Sequence, residues 1–294
     1  MTTQVTITSI MKTGYAVLVG RSNVGKSTLL NSLVGSKVAI TTPKPQTTRR
    51  PVQGVLSQGD SQAVFVDTPG ILQKSRDELT EKLTSYVKNS LDGIDMILYV
   101  VDPTREIGNE ERSTLRLIED IDKPKLLVIN KIDDKKSNKY IDFYRDLGEK
   151  DIFDGCVEVS ATRRSNLDIL QRWIFDHLPE GQWMYPEGQM SNMRPEEQVA
   201  EIIREKLFLR LRQEVPYSTH VEVDEIEQRK SGAMYISARI LTTTDRYKSM
   251  IIGAGGQGIK EIGQSSRKEL TAVSNQKVFL DLKVETDPHW ITRF

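Results

Sequence analysis

One stretch of eight residues limits what this chain can fold into more than any other: Gly20, Arg21, Ser22, Asn23, Val24, Gly25, Lys26 and Ser27. Two glycines separated by four residues and followed by a lysine and a hydroxyl form the pattern of a phosphate-binding loop. An apolar run of strand type precedes it, and a helix-favouring run begins at Thr28. The motif requires this order of strand, loop and helix. A chance glycine turn is the alternative.

The chemistry of this pattern follows from its residue types. Backbone N–H groups of the loop, together with the N-terminus of the next helix, bind phosphate oxygens. Gly20 and Gly25 permit a tight backbone path. Lys26 can reach the terminal phosphates, and the hydroxyl of Ser27 can ligate Mg²⁺. We therefore predict a nucleotide site whose contacts run from Gly20 through Thr28.

Composition sets broad limits on the class of protein. The chain has 294 residues, which favours two domains, and its 41 Lys+Arg balance 41 Asp+Glu, so net charge indicates neither a nucleic-acid nor a membrane partner. The one cysteine, Cys156, excludes an internal disulfide, fits a reducing compartment and is expected in the core. The N-terminus lacks a signal-peptide pattern, and the most apolar run, 96–101, is too short to span a bilayer. We predict a cytoplasmic protein.

Strand-like and helix-like segments alternate from residue 15 to about 177, which predicts an α/β domain with a largely parallel sheet. The strand candidates are 16–20, 52–57, 63–67, 96–102, 126–130 and 156–159. Only five residues join the second and third, and a parallel crossover needs about a dozen, so we expect an antiparallel hairpin at one edge. Helices are predicted at 26–33, 78–89, 109–120 and 166–177.

A second motif follows an apolar strand, at the sheet edge where ligands bind in open α/β folds: Asp67, Thr68, Pro69 and Gly70. The Asp can hold Mg²⁺ through its water shell, and the glycine N–H is free for a γ-phosphate. Loss of that phosphate on hydrolysis would release the segment that begins at Ile71. Taken alone, the same four residues are often a simple turn.

A third motif follows the strand at 126–129 and comprises Asn130, Lys131, Ile132 and Asp133. Guanine presents two adjacent N–H donors, and one carboxylate can accept from both, a task that suits Asp133. Asn130 can reach N7, and the stem of Lys131 can lie along the ring face. Adenine lacks the paired donors, so this motif favours GTP over ATP. The alternative is a charged helix start capped by Asp133.

Two weaker signals complete the nucleotide site. Ser160 and Ala161 match a short loop that packs over the base and offers a backbone N–H to guanine O6. The loop 37–50 ends in a threonine pair, and one hydroxyl there can close on Mg²⁺ when a γ-phosphate is present. We favour Thr48 over Thr47, and a polar loop without a ligand is the alternative.

The four elements in this order resemble a translation-factor-related GTPase. From about residue 13 to residue 284 the chain is similar to the bacterial Era GTPase family. The runs 46–49 and 67–70 match the switch segments of that family, and 214–218 matches its entry to the C-terminal domain. The resemblance implies a Ras-like P-loop GTPase domain followed by an α+β KH type II domain.

The boundary between these domains is also visible in the residues. A stretch rich in proline, glycine and polar residues, 179–195, is typical of a linker and separates a domain at 1–178 from one at 196–294. The second domain has the predicted order α-β-β-α-β, with elements at 196–212, 219–226, 233–241, 259–273 and 278–284. Its strands alternate, so one sheet face packs on helices.

The glycine loop of this second domain is Gly253, Ala254, Gly255 and Gly256. It has the GxxG pattern of a KH domain, which clamps about four single-stranded nucleotides. A dinucleotide fingerprint also fits, but too little chain remains for its sheet. A turn without a ligand is the other alternative. The family usually carries a lysine in this loop, so Ala254 predicts weaker and less salt-sensitive RNA binding. Nearby cations could compensate: Lys260, Arg246, Lys248, Arg267 and Lys268.

The resemblance implies an enzyme that binds GTP and slowly hydrolyses it to GDP, with Mg²⁺ held by Ser27, Thr48 and Asp67. Lys26, Thr48 and Gly70 are the expected catalytic groups, acting by positioning and charge neutralisation. Ile71 cannot orient water, which predicts slow turnover accelerated by RNA or a monovalent cation. Other GTPases ligate K⁺ through an asparagine at the place of Asn23, so K⁺ is a candidate cofactor.

The resemblance further implies partners. These are the single-stranded 3′ end of the small-subunit ribosomal RNA and the small ribosomal subunit during its assembly. No obligate protein partner is expected, and peripheral association with the inner face of the cell membrane is left open. The alternative function is a non-enzymatic RNA chaperone or membrane-surface regulator that uses GTP only as a structural ligand.

Overall fold

A computed structural model describes residues 11–45, 47–69, 85, 89–135 and 139–293. The chain divides into two compact units. The first extends to Asn192 without residues 40–47, and the second comprises residues 40–47 together with the chain from Met193 onwards. The helix predicted at 78–89 lies almost entirely outside the described residues.

The first unit is built on a six-stranded sheet in the order β2-β3-β1-β4-β5-β6. All neighbours in it are parallel except β2, which runs antiparallel to β3 at the edge, so the hairpin predicted from the short link is confirmed. The strands are β1 Lys12–Val19, β2 Val52–Gln58, β3 Ser61–Asp67, β4 Met96–Val101, β5 Lys125–Ile129 and β6 Gly155–Glu158.

Four helices are described in the first unit: α1 Lys26–Val34, α2 Asn109–Arg116, α3 Ile141–Gly148 and α4 Leu167–Asp176. The sequence prediction missed α3. This helix is only eight residues long, and it buries Ile141, Tyr144 and Leu147 on one face. Three apolar positions are too few to reveal helical periodicity among charged neighbours.

The central strands are buried on both faces, and every residue of β4 is buried. Such continuous apolar runs are typical of parallel strands covered by helices. Cys156 corrects a prediction: it lies exposed on β6, the last strand of the sheet, and not in the core. An edge strand has one uncovered side, which an apolar sequence run alone does not reveal.

Residues 179–192, predicted as a linker, belong to the first unit and make backbone hydrogen bonds to its strands. The N–H of Val55 donates to the carbonyl of Met190 at 2.9 Å, and the N–H of Thr13 donates to that of Pro179 at 3.0 Å. The first of these contacts covers the outer side of β2, whose backbone would otherwise be an exposed sheet edge, and the second joins the segment to β1. The predicted domain boundaries remain predictions.

The second unit has a three-stranded sheet, with β7 antiparallel to β8 and β9 parallel to β8. Its elements are α5 Pro195–Arg210, β7 Thr219–Gln228, β8 Met234–Thr242, α6 Asp245–Ile252, α7 Gln257–Ser274, β9 Val278–Thr286 and α8 Trp290–Arg293. The sequence prediction missed α6. Its start is marked by Thr244, whose hydroxyl accepts from the N–H of Tyr247 at 3.3 Å, an N-cap signal that the sequence does contain.

Residues 40–47 pack within the second unit, against α5. The N–H of Thr41 donates to Glu205 Oε1 at 3.0 Å. The ammonium of Lys44 donates to the carbonyls of Phe208 and Leu211 at the C-terminal end of α5, where a cation is stabilised by the helix dipole. Among the helices described in either unit, none is both long and apolar enough to cross a membrane.

Candidate nucleotide and nucleic-acid sites

The phosphate-loop pattern lies where β1 ends and α1 begins, and both of its glycines are required by geometry. A Cβ at Gly20 would lie 2.3 Å from the carbonyl oxygen of Val100, and one at Gly25 would lie 2.4 Å from Asn130 Nδ2. Gly25 also has φ of 99°, in the left-handed region that favours glycine. The loop is therefore packed closely between two neighbouring strand ends.

Lys26 is buried beneath this loop. Its ammonium donates to the carbonyls of Gly20 at 2.8 Å and Arg21 at 3.1 Å. Burial lowers the pKa of Lys26 to about 8, against the opposing effects of the Asp67 and Glu111 carboxylates. A buried cation that rests on loop carbonyls is placed to meet the terminal phosphates of a nucleotide.

Three oxygen-bearing side chains meet next to the lysine. Ser27 Oγ donates to Asp67 Oδ2 at 2.5 Å, Thr48 Oγ1 donates to the same oxygen at 3.2 Å, and the two hydroxyls are 3.0 Å apart. Asp67 is fully buried, which raises the pKa of its carboxyl, and its Oδ1 has no hydrogen-bond partner among the described residues. Two hydroxyls and a carboxylate, one of whose buried oxygens has no hydrogen-bond partner among the described residues, suit a hard cation such as Mg²⁺.

The neighbouring threonine lies apart from this group. Thr47 Oγ1 pairs with Thr42 Oγ1 at 2.6 Å and donates to the carbonyl of Lys44 at 2.8 Å. This arrangement favours Thr48 over Thr47 as the metal ligand, and the assignment remains a prediction.

Only part of the motif that begins at Asp67 can be placed. Thr68 is buried, and its hydroxyl donates to the carbonyl of Leu18 at 2.7 Å, which anchors β3 to β1. Pro69 is the last described residue here, and the predicted sites Gly70 and Ile71 lie outside the described residues.

Asn130 joins the phosphate loop to the predicted base-binding loop. Its Nδ2 donates to the carbonyl of Val24 at 3.0 Å, and its Oδ1 accepts from the N–H of Ala161 at 3.1 Å. The phosphate loop, the motif at 130–133 and the loop at 160–161 are far apart in the sequence, but they meet at one edge of the sheet. This agrees with the rule that ligands bind at the carboxyl ends of parallel strands.

Asp133 presents an ionised carboxylate beside this junction. Ser160 Oγ donates to its Oδ1 at 2.5 Å, and Thr162 Oγ1 donates to its Oδ2 at 3.2 Å. The hydrogen bond from Ser160 is the main reason why the pKa of Asp133 lies below its usual value. Ile132, between the motif's lysine and carboxylate, packs on the apolar core. A carboxylate that stays charged can accept from two donors of a guanine ring.

Lys131 has a partner that the sequence prediction missed. Its ammonium donates to the carbonyl of Asn23 at 2.7 Å and to Asp102 Oδ2 at 2.7 Å. Asp102 directly follows β4, and an acidic residue at the carboxyl end of a buried parallel strand is a signal that could have identified it.

The glycine loop of the second unit joins α6 to α7. Gly253, Gly255 and Gly256 have φ of 72°, 58° and 76°, so three of its four residues are left-handed. Ala254 is exposed. Just beyond the loop, a Cβ at Gly258 would lie 2.3 Å from the carbonyl oxygen of Ile251, so glycine is required there too.

Next to this loop is a groove of about 340 Å³ between α7 and β9, lined by Ile259, Lys260, Gly263, Gln264, Arg267, Leu280, Asp281 and Leu282. Its lining combines apolar side chains with the cations Lys260 and Arg267 and the acidic Asp281. The other predicted cations, Arg246, Lys248 and Lys268, are not part of its lining. A glycine loop beside a partly apolar groove that carries two cations can bind a short single strand of RNA.

Comparison with known proteins identifies a family for each unit. Residues 15–131 match a family described as 50S ribosome-binding GTPase, and residues 214–291 match the KH domain. GTPase Era of Thermoanaerobacter sp. (strain X514) is 40% identical over 283 residues, which cover 95% of this chain and 92% of that protein. GTPase Era of Lactobacillus delbrueckii subsp. bulgaricus is 43% identical over 287 residues, covering 96% and 93%.

Solved structures give the same result. One is Era in complex with MgGDPNP and nucleotides 1506–1542 of 16S ribosomal RNA, with a TM-score of 0.90 and 36% identity over 96% of each chain. Another is a variant of Aquifex aeolicus Era bound to GDP·AlF4⁻, with a TM-score of 0.89 and 37% identity over 96% of each chain. The first unit is a Ras-like GTPase fold and the second a KH fold, and the chain belongs to the Era family of GTPases.

Proposed function

We propose that this protein hydrolyses GTP in its first unit, binds the 3′ end of small-subunit ribosomal RNA with its second unit, and acts in small ribosomal subunit assembly. One observation carries the proposal. A relative that matches 96% of the chain is bound to both a GTP analogue and 16S ribosomal RNA.

Hydrolysis in such a site depends on positioning and charge neutralisation. Lys26 would exchange its loop carbonyls for the terminal phosphates, and the loop N–H groups would hold the remaining phosphate oxygens. Ser27, Thr48 and Asp67 would hold Mg²⁺, which neutralises phosphate charge when bound. Gly70 would add its N–H to the γ-phosphate.

Base selection falls to a different set of residues. The ionised carboxylate of Asp133 would accept from the two adjacent donors of guanine. Asn130, Lys131, Ser160 and Ala161 would shape the pocket around the ring. Because adenine offers no such pair of donors, this set favours guanine nucleotides.

The intrinsic rate is expected to be slow, because Ile71 has no polar group with which to orient the attacking water. We propose that K⁺, with Asn23 as a ligand, contributes to turnover. Equal hydrolysis rates in K⁺ and Na⁺ buffers at matched ionic strength would exclude that role.

RNA binding is assigned to the glycine loop 253–256 and the adjacent groove, with Lys260 and Arg267 at the phosphates. Ala254 contributes no charge, so we expect affinity to depend less on salt than in a loop that contains lysine. Peripheral association with the inner face of the cell membrane remains a prediction from the family resemblance.

The proposed switch uses residues 40–47. These belong to the second unit, where Glu205 holds Thr41 and the end of α5 holds Lys44, whereas the next residue, Thr48, contacts Ser27 and Asp67. A γ-phosphate that changes the position of Thr48 would therefore pull on a segment attached to the RNA-binding unit. A γ-phosphate shifts the equilibrium between two positions of this segment only to the extent that it binds the two conformations with different affinities.

The direct experiment measures binding of a single-stranded 3′-end rRNA oligonucleotide in the presence of GDP and of a non-hydrolysable GTP analogue, together with phosphate release from GTP. We expect unequal RNA affinities and RNA-stimulated release. Equal affinities would refute the switch. Absence of phosphate release with RNA present would favour the alternative of a chaperone or regulator that uses GTP structurally, which membership of a GTPase family already disfavours.

A further inference from the structure

A buried ion pair lies beside the phosphate loop, and the proposed function gives no role to its two side chains. Arg21 Nε and Glu111 Oε2 are 3.1 Å apart, and the side chain of each residue is only 4% exposed. Arg21 is the second residue of the loop, whereas Glu111 lies on α2. Charges this deeply buried are costly unless their partners are well placed, and removing one partner leaves the other uncompensated.

The carboxylate of Glu111 has two further donors. Tyr99 OH donates to Oε1 at 2.5 Å, and Tyr144 OH donates to Oε2 at 3.2 Å. Burial raises the pKa of both tyrosines, so both phenols keep the proton that they donate. Glu111 is thus fixed from β4 and α3 at once, and it offers Arg21 a rigid anchor.

Residues just before α2 also hold the backbone of the phosphate loop. Arg21 Nη1 donates to the carbonyl of Glu106 at 2.8 Å, and Arg105 Nη1 donates to the carbonyl of Ser22 at 2.9 Å. The carbonyl of Arg21 in turn accepts from the ammonium of Lys26 at 3.1 Å. The path of the loop and the resting place of its lysine therefore both depend on Arg21.

We propose that Glu111 is a positioning residue for nucleotide binding. Held by Tyr99 and Tyr144, it fixes Arg21 and so keeps the first half of the phosphate loop in the conformation that receives phosphates. Glu111 itself touches no ligand. The inference rests on the assignment of residues 20–27 as the phosphate-binding loop under the proposed function.

The test compares Glu111→Gln with Glu110→Gln in the full chain. The second variant is matched, because Glu110 lies in the same helical turn but outside the network. The measurement is the affinity and dissociation rate of fluorescently labelled GDP. Since the buried charge of Arg21 loses its counter-charge, we expect Glu111→Gln to weaken GDP binding about ten- to a hundredfold and Glu110→Gln to change it less than about twofold. Because the phosphate loop would meet the same phosphates in both nucleotides, the ratio of GDP to ADP affinity should not change.

Two outcomes would overturn the inference. In one, folded Glu111→Gln binds GDP as wild type does and shows only a lower unfolding temperature, which is what a purely structural role predicts. In the other, the losses of Glu111→Gln and Arg21→Gln simply add in the double variant. If Glu111 acts through Arg21, the double variant should lose little more than the worse single one.

A milder variant keeps the test decisive if Glu111→Gln does not fold. Tyr144→Phe removes one donor and leaves the ion pair in place, and we expect GDP to dissociate several-fold faster, about the effect of one hydrogen bond. An unchanged rate would count against the inference. Failure of the wild-type chain to bind GDP at all would instead refute the proposed function.

Discussion

The two candidate sites of this chain are built in opposite ways. In the first unit, Lys26, Asp67 and Arg21 are buried, and each contacts another polar group of the site. In the second unit, Ala254 and Lys260 are exposed, and the loop relies on left-handed glycines. One site is formed by charged side chains in a low-dielectric interior, the other by backbone shape and a shallow groove.

This difference has consequences for how each site responds to change. Buried charges depend on their partners, so single substitutions in the nucleotide site should have large and coupled effects. An exposed cation contributes a small, screened attraction to RNA phosphates, and several such cations act nearly independently.

The largest effect is expected for Asp133→Asn. Loss of two charge-assisted hydrogen bonds to guanine should reduce GTP affinity about a thousandfold and leave ATP affinity unchanged. Titration calorimetry with both nucleotides measures the selectivity directly. Asp134→Asn, at the adjacent exposed position, is the matched control and should keep the preference for GTP. If Asp133→Asn retains it as well, guanine is recognised elsewhere.

The next effect concerns the threonine pair. Thr48→Val should slow Mg²⁺-dependent GTP hydrolysis about a hundredfold, as expected when one preorganised group of a transition-state site is removed. Thr47→Val makes the same change at the preceding threonine, and it should leave the rate within a few-fold of wild type. Phosphate release over a Mg²⁺ titration checks both variants. The reverse order of effects would assign the metal to Thr47.

The pH dependence of nucleotide binding is the third test. The pKa of Lys26 is lowered to about 8 in the nucleotide-free protein, whereas phosphates would favour its charged form. Above that pH, binding must take up a proton, so GDP affinity should fall by up to about tenfold for each further pH unit. Affinity measured between pH 7 and 9.5 tests this. A flat profile over that range would show that Lys26 keeps its proton without nucleotide.

The smallest effect is expected in the glycine loop of the second unit. Ala254→Lys should strengthen binding of a single-stranded rRNA oligonucleotide several-fold and steepen its salt dependence by about 0.7, the contribution of one added phosphate contact. Ala254→Gln has similar length without charge and should do neither. Equal gains from both variants would indicate contact with the bases or sugars instead of a phosphate.

Much of the nucleotide site could be predicted because its residues lie in short, contiguous motifs. Gly25 is required by its own φ, and the predicted five-residue link between the second and third strands, only two residues long in the structure, permits only a hairpin. The rule that ligands bind at the carboxyl ends of parallel strands then brings Lys26, Asp67 and Asn130 together. These arguments need only local sequence and one rule about sheets.

Other features depend on contacts between distant parts of the chain, which local patterns do not encode. Arg21 and Glu111 are ninety positions apart, and the residues around each of them do not indicate that the two side chains form an ion pair. The exposure of Cys156 depends on the position of β6 in the sheet. The helix α6 is different, since its Thr244 cap is a start signal that the local sequence does contain.

We propose that one pocket selects and cleaves guanosine triphosphate and that RNA bound to the second unit affects this reaction. Phosphate release from GTP and from ATP, each with and without a 3′-end rRNA oligonucleotide, tests it most directly. We expect phosphate release from GTP but not from ATP, and a higher rate of release from GTP when the oligonucleotide is present. Equal release from both nucleotides, or a GTP rate that the oligonucleotide leaves unchanged, would contradict it.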